Sequence, residues 1–121
     1  VLEQKLLLPD YTCVYIPLRN EDEAFYICAI LNSTLSRLVT SYIHLHPDPH
    51  VLEYLRVEKY NPENETHKQL TVLSREAHNA AARDNKDRLY EIENEIDVCV
   101  AKLYGLSQRD LDYIKMQFSE K

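Results

Sequence analysis

The chain has 121 residues, 45% hydrophobic and 28% charged, with a net charge of −6 and a single glycine. That composition is ordinary for one globular domain and unlike a disordered or membrane chain. About eight glycines would be usual at this length; with only Gly105 there is no Gly-x-Gly-x-x-Gly turn, no Walker-type phosphate cradle and no Gly-x-Ser-x-Gly nucleophile elbow.

Residues 2–18 read as extended. Leu6-Leu7-Leu8 is an apolar run, Pro9-Asp10 a turn, and Tyr11 to Ile16 is rich in β-formers, with Pro17 ending the run. Asn20 with Glu23 three residues on is a helix start, and Glu21 and Asp22 suit the positive end of the dipole. Ala24, Ile27, Cys28, Leu31, Leu35, Leu38, Val39 and Tyr42 make one helical stripe. Asn32-Ser33-Thr34 interrupts it, because these side chains compete for backbone hydrogen bonds. A break into two helices capped by Asn32 or Ser33 is the expectation. A loop over 44–50 follows, then a short strand at about 53–58 with Leu55 and Val57 on one face, then a turn at 60–64.

Thr66 and Gln69 form a capping box for a helix over about 66–81 carrying Leu70, Leu73, Ala77 and Ala80. Residues 79–87 lack large apolar side chains and read as an exposed turn of helix or a connection. In the next helix, about 86–104, Leu89, Ile92, Ile96, Cys99 and Leu103 repeat at alternating steps of three and four, a coiled-coil-like seam. Packing of this seam on 66–81 within one chain is favoured over pairing with a second chain, although a homodimer is the alternative. Gly105 suits the left-handed residue that closes a helix. Ser107 with Asp110 caps a last helix, about 108–118, with Leu106 and Leu111 placed for a hydrophobic staple. The expected fold is α+β and mostly helical, with short N-terminal strands packed on a helical bundle that includes a coiled-coil-like pair. Residues 1–62 form the strand-and-helix part and 63–121 the helical part.

Charge is uneven along the chain. Residues 1–55 hold three basic and seven acidic side chains, 56–90 seven and six, and 91–121 four and seven. Proteins that grip DNA through phosphates cluster basic residues on one face, so a strong autonomous DNA binder is not expected. The candidates for DNA contact are Arg37, Arg56, Lys59, Lys68 and Arg75, each with solubilising surface charge as its plain reading. Cys13, Cys28 and Cys99 form no Cys-x-x-Cys pair and no disulfide framework, and they read as buried free thiols in a cytoplasmic protein. No run reaches the roughly 20 apolar residues of a membrane span. The chain begins at Val1, without Met and inside an apolar stretch, and reads as a piece of a longer protein.

His44-Leu45-His46-Pro47-Asp48-Pro49-His50 holds three imidazoles and a carboxylate. A metal site needs ligands on rigid elements with supporting bonds, so a polar loop is the preferred reading and no metal is expected. The acidic run Glu91, Glu93, Glu95 and Asp97 points in several directions around the seam helix and reads as solvated surface. Nine tyrosines could stack bases, but Tyr15, Tyr42 and Tyr104 lie on or beside apolar stripes. No Ser/His/Asp or Cys/His constellation suggests itself, and no catalytic residue or cofactor is assigned to this chain.

Three segments carry a resemblance. Ala29-Ile30-Leu31-Asn32-Ser33-Thr34-Leu35 resembles the "LLNS" helix of target-recognition regions in restriction–modification proteins. After the variable loop and Leu55-Arg56-Val57 come Tyr60-Asn61-Pro62, His67-Lys68-Gln69-Leu70 and Leu73-Ser74-Arg75-Glu76-Ala77-His78, similar to an "h-x-x-L-a-x-L-s-x-x-A-H" helix. Glu93-Asn94-Glu95-Ile96-Asp97 with Leu103-Tyr104-Gly105-Leu106 is similar to the closing "I-D-x-x-V-x-x-L-Y-G-L" segment. The order, over roughly residues 24–117, is that of the C-terminal end of large adenine-specific DNA methyltransferases, type IIG-like enzymes fused to restriction activity among them. The usual proline after the short strand is replaced by Val57-Glu58-Lys59-Tyr60, and neither the Asn/Asp-Pro-Pro-Tyr/Phe motif nor a glycine-containing cofactor motif is present. The resemblance implies a part in DNA target recognition, with upstream domains of the same polypeptide and DNA as partners. Catalysis and S-adenosylmethionine would belong to the parent, outside this chain.

Overall fold

A computed structural model describes residues 17–43, 53 and 55–119. Among the described residues five helices are bounded, in order: α1 (Glu21–Leu31), α2 (Thr34–Ile43), α3 (Glu65–Ala82), α4 (Lys86–Leu103) and α5 (Gln108–Ser119). Among the described residues there is no strand, so the expected α+β class is corrected to all-helical. The strands expected at 2–16 lie outside the described residues. The strand expected at 53–58 is replaced by a tight turn at 55–56 and an irregular stretch beyond it. The turn is closed by the Arg56 N–H donating to Glu53 O at 3.1 Å, with Arg56 at φ 52°.

That sequence alternates because it is a strap with two anchors. Leu55 is buried and Val57 packs partly buried on the core. Side chains take the place of a neighbouring strand. Tyr104 Oη donates to Leu55 O at 2.6 Å and Tyr26 Oη to Glu58 O at 2.9 Å.

Each helix start has a local cause. Asn20 is extended, and its Oδ1 accepts from Glu23 N at 2.8 Å. Helix α3 starts two residues before the expected Thr66–Gln69 box: Asn64 Oδ1 accepts from Thr66 N at 2.9 Å and His67 N at 3.1 Å. Asparagine outranks threonine as a cap. Asn85 does the same for α4, accepting from Arg88 N at 3.2 Å. At the last helix, Ser107 N donates to Asp110 Oδ2 at 2.9 Å and Asp110 N to Ser107 Oγ at 3.1 Å. The Ser107 amide, joined by the Ser107 hydroxyl donating to the same oxygen at 2.9 Å, holds the Asp110 carboxyl below the usual carboxylate range.

Helices α3 and α4 end alike. Asp84 (φ 54°) and Gly105 (φ 70°) take left-handed backbone. The following amides, Asn85 N and Leu106 N, reach back to Ala80 O at 2.9 Å and Ala101 O at 2.8 Å. Both are Schellman closures; aspartate tolerates at the first what glycine supplies at the second.

The short 83–85 link folds α3 and α4 into a hairpin, and α1 lies along α3. One apolar cluster joins Tyr26, Ile27, Ala29 and Ile30 of α1 with Leu70, Leu73 and Ala80 of α3. Ile92, Ile96, Cys99 and Val100 of α4 complete it. It draws on residues from both sides of position 62, so the two parts of the chain share one core. The seam residues Ile92, Ile96 and Cys99 are inside it, and Leu89 and Leu103 pack against it. Helices α2 and α5 pack on α4 and on each other.

Candidate functional site

The α1–α2 break is where the segments of the resemblance meet. Asn32 ends α1 with its N–H on Cys28 O at 3.1 Å and its amide Nδ2 on the same oxygen at 2.9 Å. Ser33 Oγ donates to Ile30 O at 2.7 Å and accepts from Ser36 N at 3.3 Å, so Ser33 begins α2 as a capping residue. Ser36 Oγ also donates to Ile30 O. Asn32, Ser33 and Ser36 thus satisfy the Cys28 and Ile30 carbonyls and one of the amides that the break exposes.

The first amide of α2 is met from another helix. Thr34 N donates to Asp97 Oδ1 at 2.9 Å and Thr34 Oγ1 to Asp97 Oδ2 at 2.6 Å. Asp97 is only 6% exposed. Reading it with its acidic neighbours as solvated surface is therefore corrected: Glu91, Glu93 and Glu95 are exposed, but Asp97 is turned inward onto the positive end of α2. Lys115 of α5 stands 3.8 Å from Asp97 Oδ2 and donates to Asn94 Oδ1 at 3.0 Å. A buried carboxylate so bonded tolerates its burial. Sequence reasoning missed Asp97 and Lys115 as a pair, since nothing local signals a cap supplied 63 positions away.

Beside this junction lies an open groove of about 660 Å³. Its floor is made of small side chains such as Ala29, Ser74 and Ala77, and its rim includes Arg37, Tyr90, Lys115 and Phe118. The Arg37 guanidinium sits 4.4 Å over the Phe118 ring.

A second cluster anchors the strap. Tyr26 and His67 are fully buried, their rings 4.5 Å apart, with Tyr60 5.3 Å from Tyr26. Asn61 N donates to His67 Nδ1 at 3.0 Å, which places the imidazole proton on Nε2. That nitrogen faces Glu58 Oε2 at 3.3 Å and Tyr26 Oη at 3.5 Å. The Tyr-His-Glu grouping has the composition of a proton relay, but its tyrosine and histidine are sealed from substrate. Burial, then the Glu58 charge, pushes the Tyr26 hydroxyl well above its ordinary 10.0. Burial does the same to Tyr104, and to the Cys99 thiol from its ordinary 9.0. The cluster is structural.

The alkaline behaviour follows with its sign. A raised native pKa leaves stability whole below the unfolded value and lost as pH climbs toward the native one. Stability is expected to hold to about pH 9 and fall between about 9 and 11 as unfolded-chain thiol and phenols ionise. Tyr26→Phe should make that fall shallower, although the variant starts lower at neutral pH. Urea midpoints taken stepwise through the range check this; parallel curves for the two proteins would refute it.

The five basic candidates lie on three different elements. Arg75 is held by Glu21 Oε1 at 3.2 Å and Asp22 Oδ1 at 2.5 Å, over the Phe25 ring. Lys68 pairs with Glu65 at 2.9 Å. Arg56 and Lys59 are exposed on the strap, where Arg56 borders a separate hollow with Leu35 and Val39. Arg37 lies on α2 at the groove, and no carboxylate among the described residues is within ion-pair distance of it. The His44–His50 loop lies outside the described residues. Among the described residues no group of three His, Cys, Asp or Glu is arranged to hold a metal ion, and no helix is long and apolar enough to cross a membrane. No protein-family model, curated protein or solved structure matches this chain.

Proposed function

We propose that this chain is the C-terminal part of a DNA target-recognition region in a restriction–modification adenine methyltransferase, and that its task is positioning. The observation that carries the reading is the pair of Thr34–Asp97 hydrogen bonds. They join the "LNS" break to the "ID" segment, the two most distinctive parts of the resemblance, which are otherwise far apart in sequence. Motifs that resemble a family in order and also build one junction are better support than either alone. Catalysis and S-adenosylmethionine binding belong, on this reading, to upstream domains of a cytoplasmic parent.

Direct grip on DNA by the chain alone is weak on this reading, because Lys68 and Arg75 are already paired within the chain. A helical interaction module built on the Leu89–Leu103 seam has less support, since Ile92, Ile96 and Cys99 are spent in the chain's own core. The test is salt-titrated binding to cognate duplex by this chain and by a longer protein containing it. The expected result is feeble, salt-sensitive binding by the chain, on the order of 10⁻⁴ to 10⁻⁶ M as for non-specific contacts, and much tighter binding by the longer protein. Equal or tight binding by the chain alone would overturn the positioning role.

A further inference from the structure

We propose that Asp97 is a positioning residue: by holding the first turn of α2 at Thr34, it sets Arg37 over Phe118 as the phosphate-contacting cation of this chain. The inference rests on the DNA reading above and gives it a residue and a geometry.

Helix α2 has ten residues, too few to be stable alone in water, so its direction is fixed by tertiary bonds. Asp97 supplies two of them, at 2.9 and 2.6 Å, at the helix start. Arg37 lies three positions after Thr34, on the same face of the helix. Both residues line the groove, together with Asp97, Lys115 and Phe118.

The charges divide cleanly. The Asp97 carboxylate is matched by Lys115, 3.8 Å away, and Lys115 is further tied to Asn94. No carboxylate among the described residues neutralises Arg37. A guanidinium lying on an aromatic face keeps its in-plane N–H donors available for a bidentate phosphate. Turning α2 would carry Arg37 off Phe118 and away from that position.

The experiment is a double-mutant cycle on the whole 121-residue chain, with mixed-sequence duplex DNA titrated across salt at the low end. Arg37→Gln should reduce the slope of log affinity against log salt by about 0.9, one phosphate contact. Asp97→Asn should reduce it by a similar amount, and the double variant should bind no more weakly than Arg37→Gln alone. This result runs against simple charge, because Asp97→Asn removes a negative charge from a chain of net −6, which by itself would raise affinity. A wild-type slope in Asp97→Asn, or losses that add in the double variant, overturns the inference alone. No salt-dependent binding by the wild type overturns the DNA reading and this one with it. If Asp97→Asn fails to fold by circular dichroism, Thr34→Val, which removes only the hydroxyl bond, takes its place with the same expected direction. Amide exchange gives a readout without DNA: α2 should exchange at least about tenfold faster in the variant while α3 is unchanged, and unchanged α2 exchange overturns the positioning role.

Discussion

Ile96→Glu is expected to unfold the chain rather than split a dimer into folded monomers. Ile96 is 7% exposed in the cluster that joins α1, α3 and α4, beside the fully buried Ile92 and with Leu70 and Leu73 in the same core. A carboxylate there would lose most of its water among the apolar side chains of the core, and a charge buried in this way belongs to the few changes that cost more than about 4 kcal/mol. Domains of this size have about 5–15 kcal/mol in total, so the folded population should collapse. Val98→Glu is the control, because Val98 is 48% exposed on the same helix and surface substitutions usually stay within about 0.5 kcal/mol. Sedimentation and far-ultraviolet circular dichroism of the pair decide the matter. A well-folded Ile96→Glu monomer derived from a wild-type dimer would move the seam from the core to an interface.

That seam shows what a sequence of this kind makes legible. Ile92, Ile96 and Cys99 recur at helical steps because they fill one core, so the period and the burial are the same fact. The Asn32-Ser33-Thr34 break and the Gly105 closure are equally readable, since each depends on a local competition of side chain or backbone with the helix. Where the cause is not local, the reading fails. Leu55 and Val57 alternate as a strand would, yet what holds their carbonyl neighbourhood is two tyrosine hydroxyls, Tyr26 of α1 and Tyr104 just past the end of α4. Asp97 looks like one more solvated acid in an acidic run, and its partner Thr34 is on a different helix. The candidate site lies in this second category: its parts were visible in the sequence, but their meeting point was not. Arg75 illustrates the converse, a cation drawn as a DNA contact from sequence whose guanidinium is shared between Glu21 and Asp22.

Tyr26→Ala is expected to cost about 3–5 kcal/mol, the range for removing a large buried ring, and to release the strap as well as weaken the core. Tyr26 is fully buried, its ring stands against those of His67 and Tyr60, and its hydroxyl donates to Glu58 O. Tyr26→Phe keeps the ring and gives up the hydrogen bond to a carbonyl on an exposed strap, which water can partly replace, together with the longer 3.5 Å contact to His67 Nε2, so about 1 kcal/mol is expected. The difference between the two variants separates packing from the bond. The strap supplies a further readout, because Asn61 N donates to His67 Nδ1 and that imidazole is oriented by its contacts with Tyr26 and Glu58. Removing the Tyr26 ring opens space beside His67, and the Asn61 amide should lose exchange protection along with the strap that carries Arg56 and Lys59. In Tyr26→Phe that protection should largely persist. Denaturant midpoints with hydrogen exchange at Asn61 test both halves; full Asn61 protection in a folded Tyr26→Ala protein would show that the histidine holds the strap without the tyrosine.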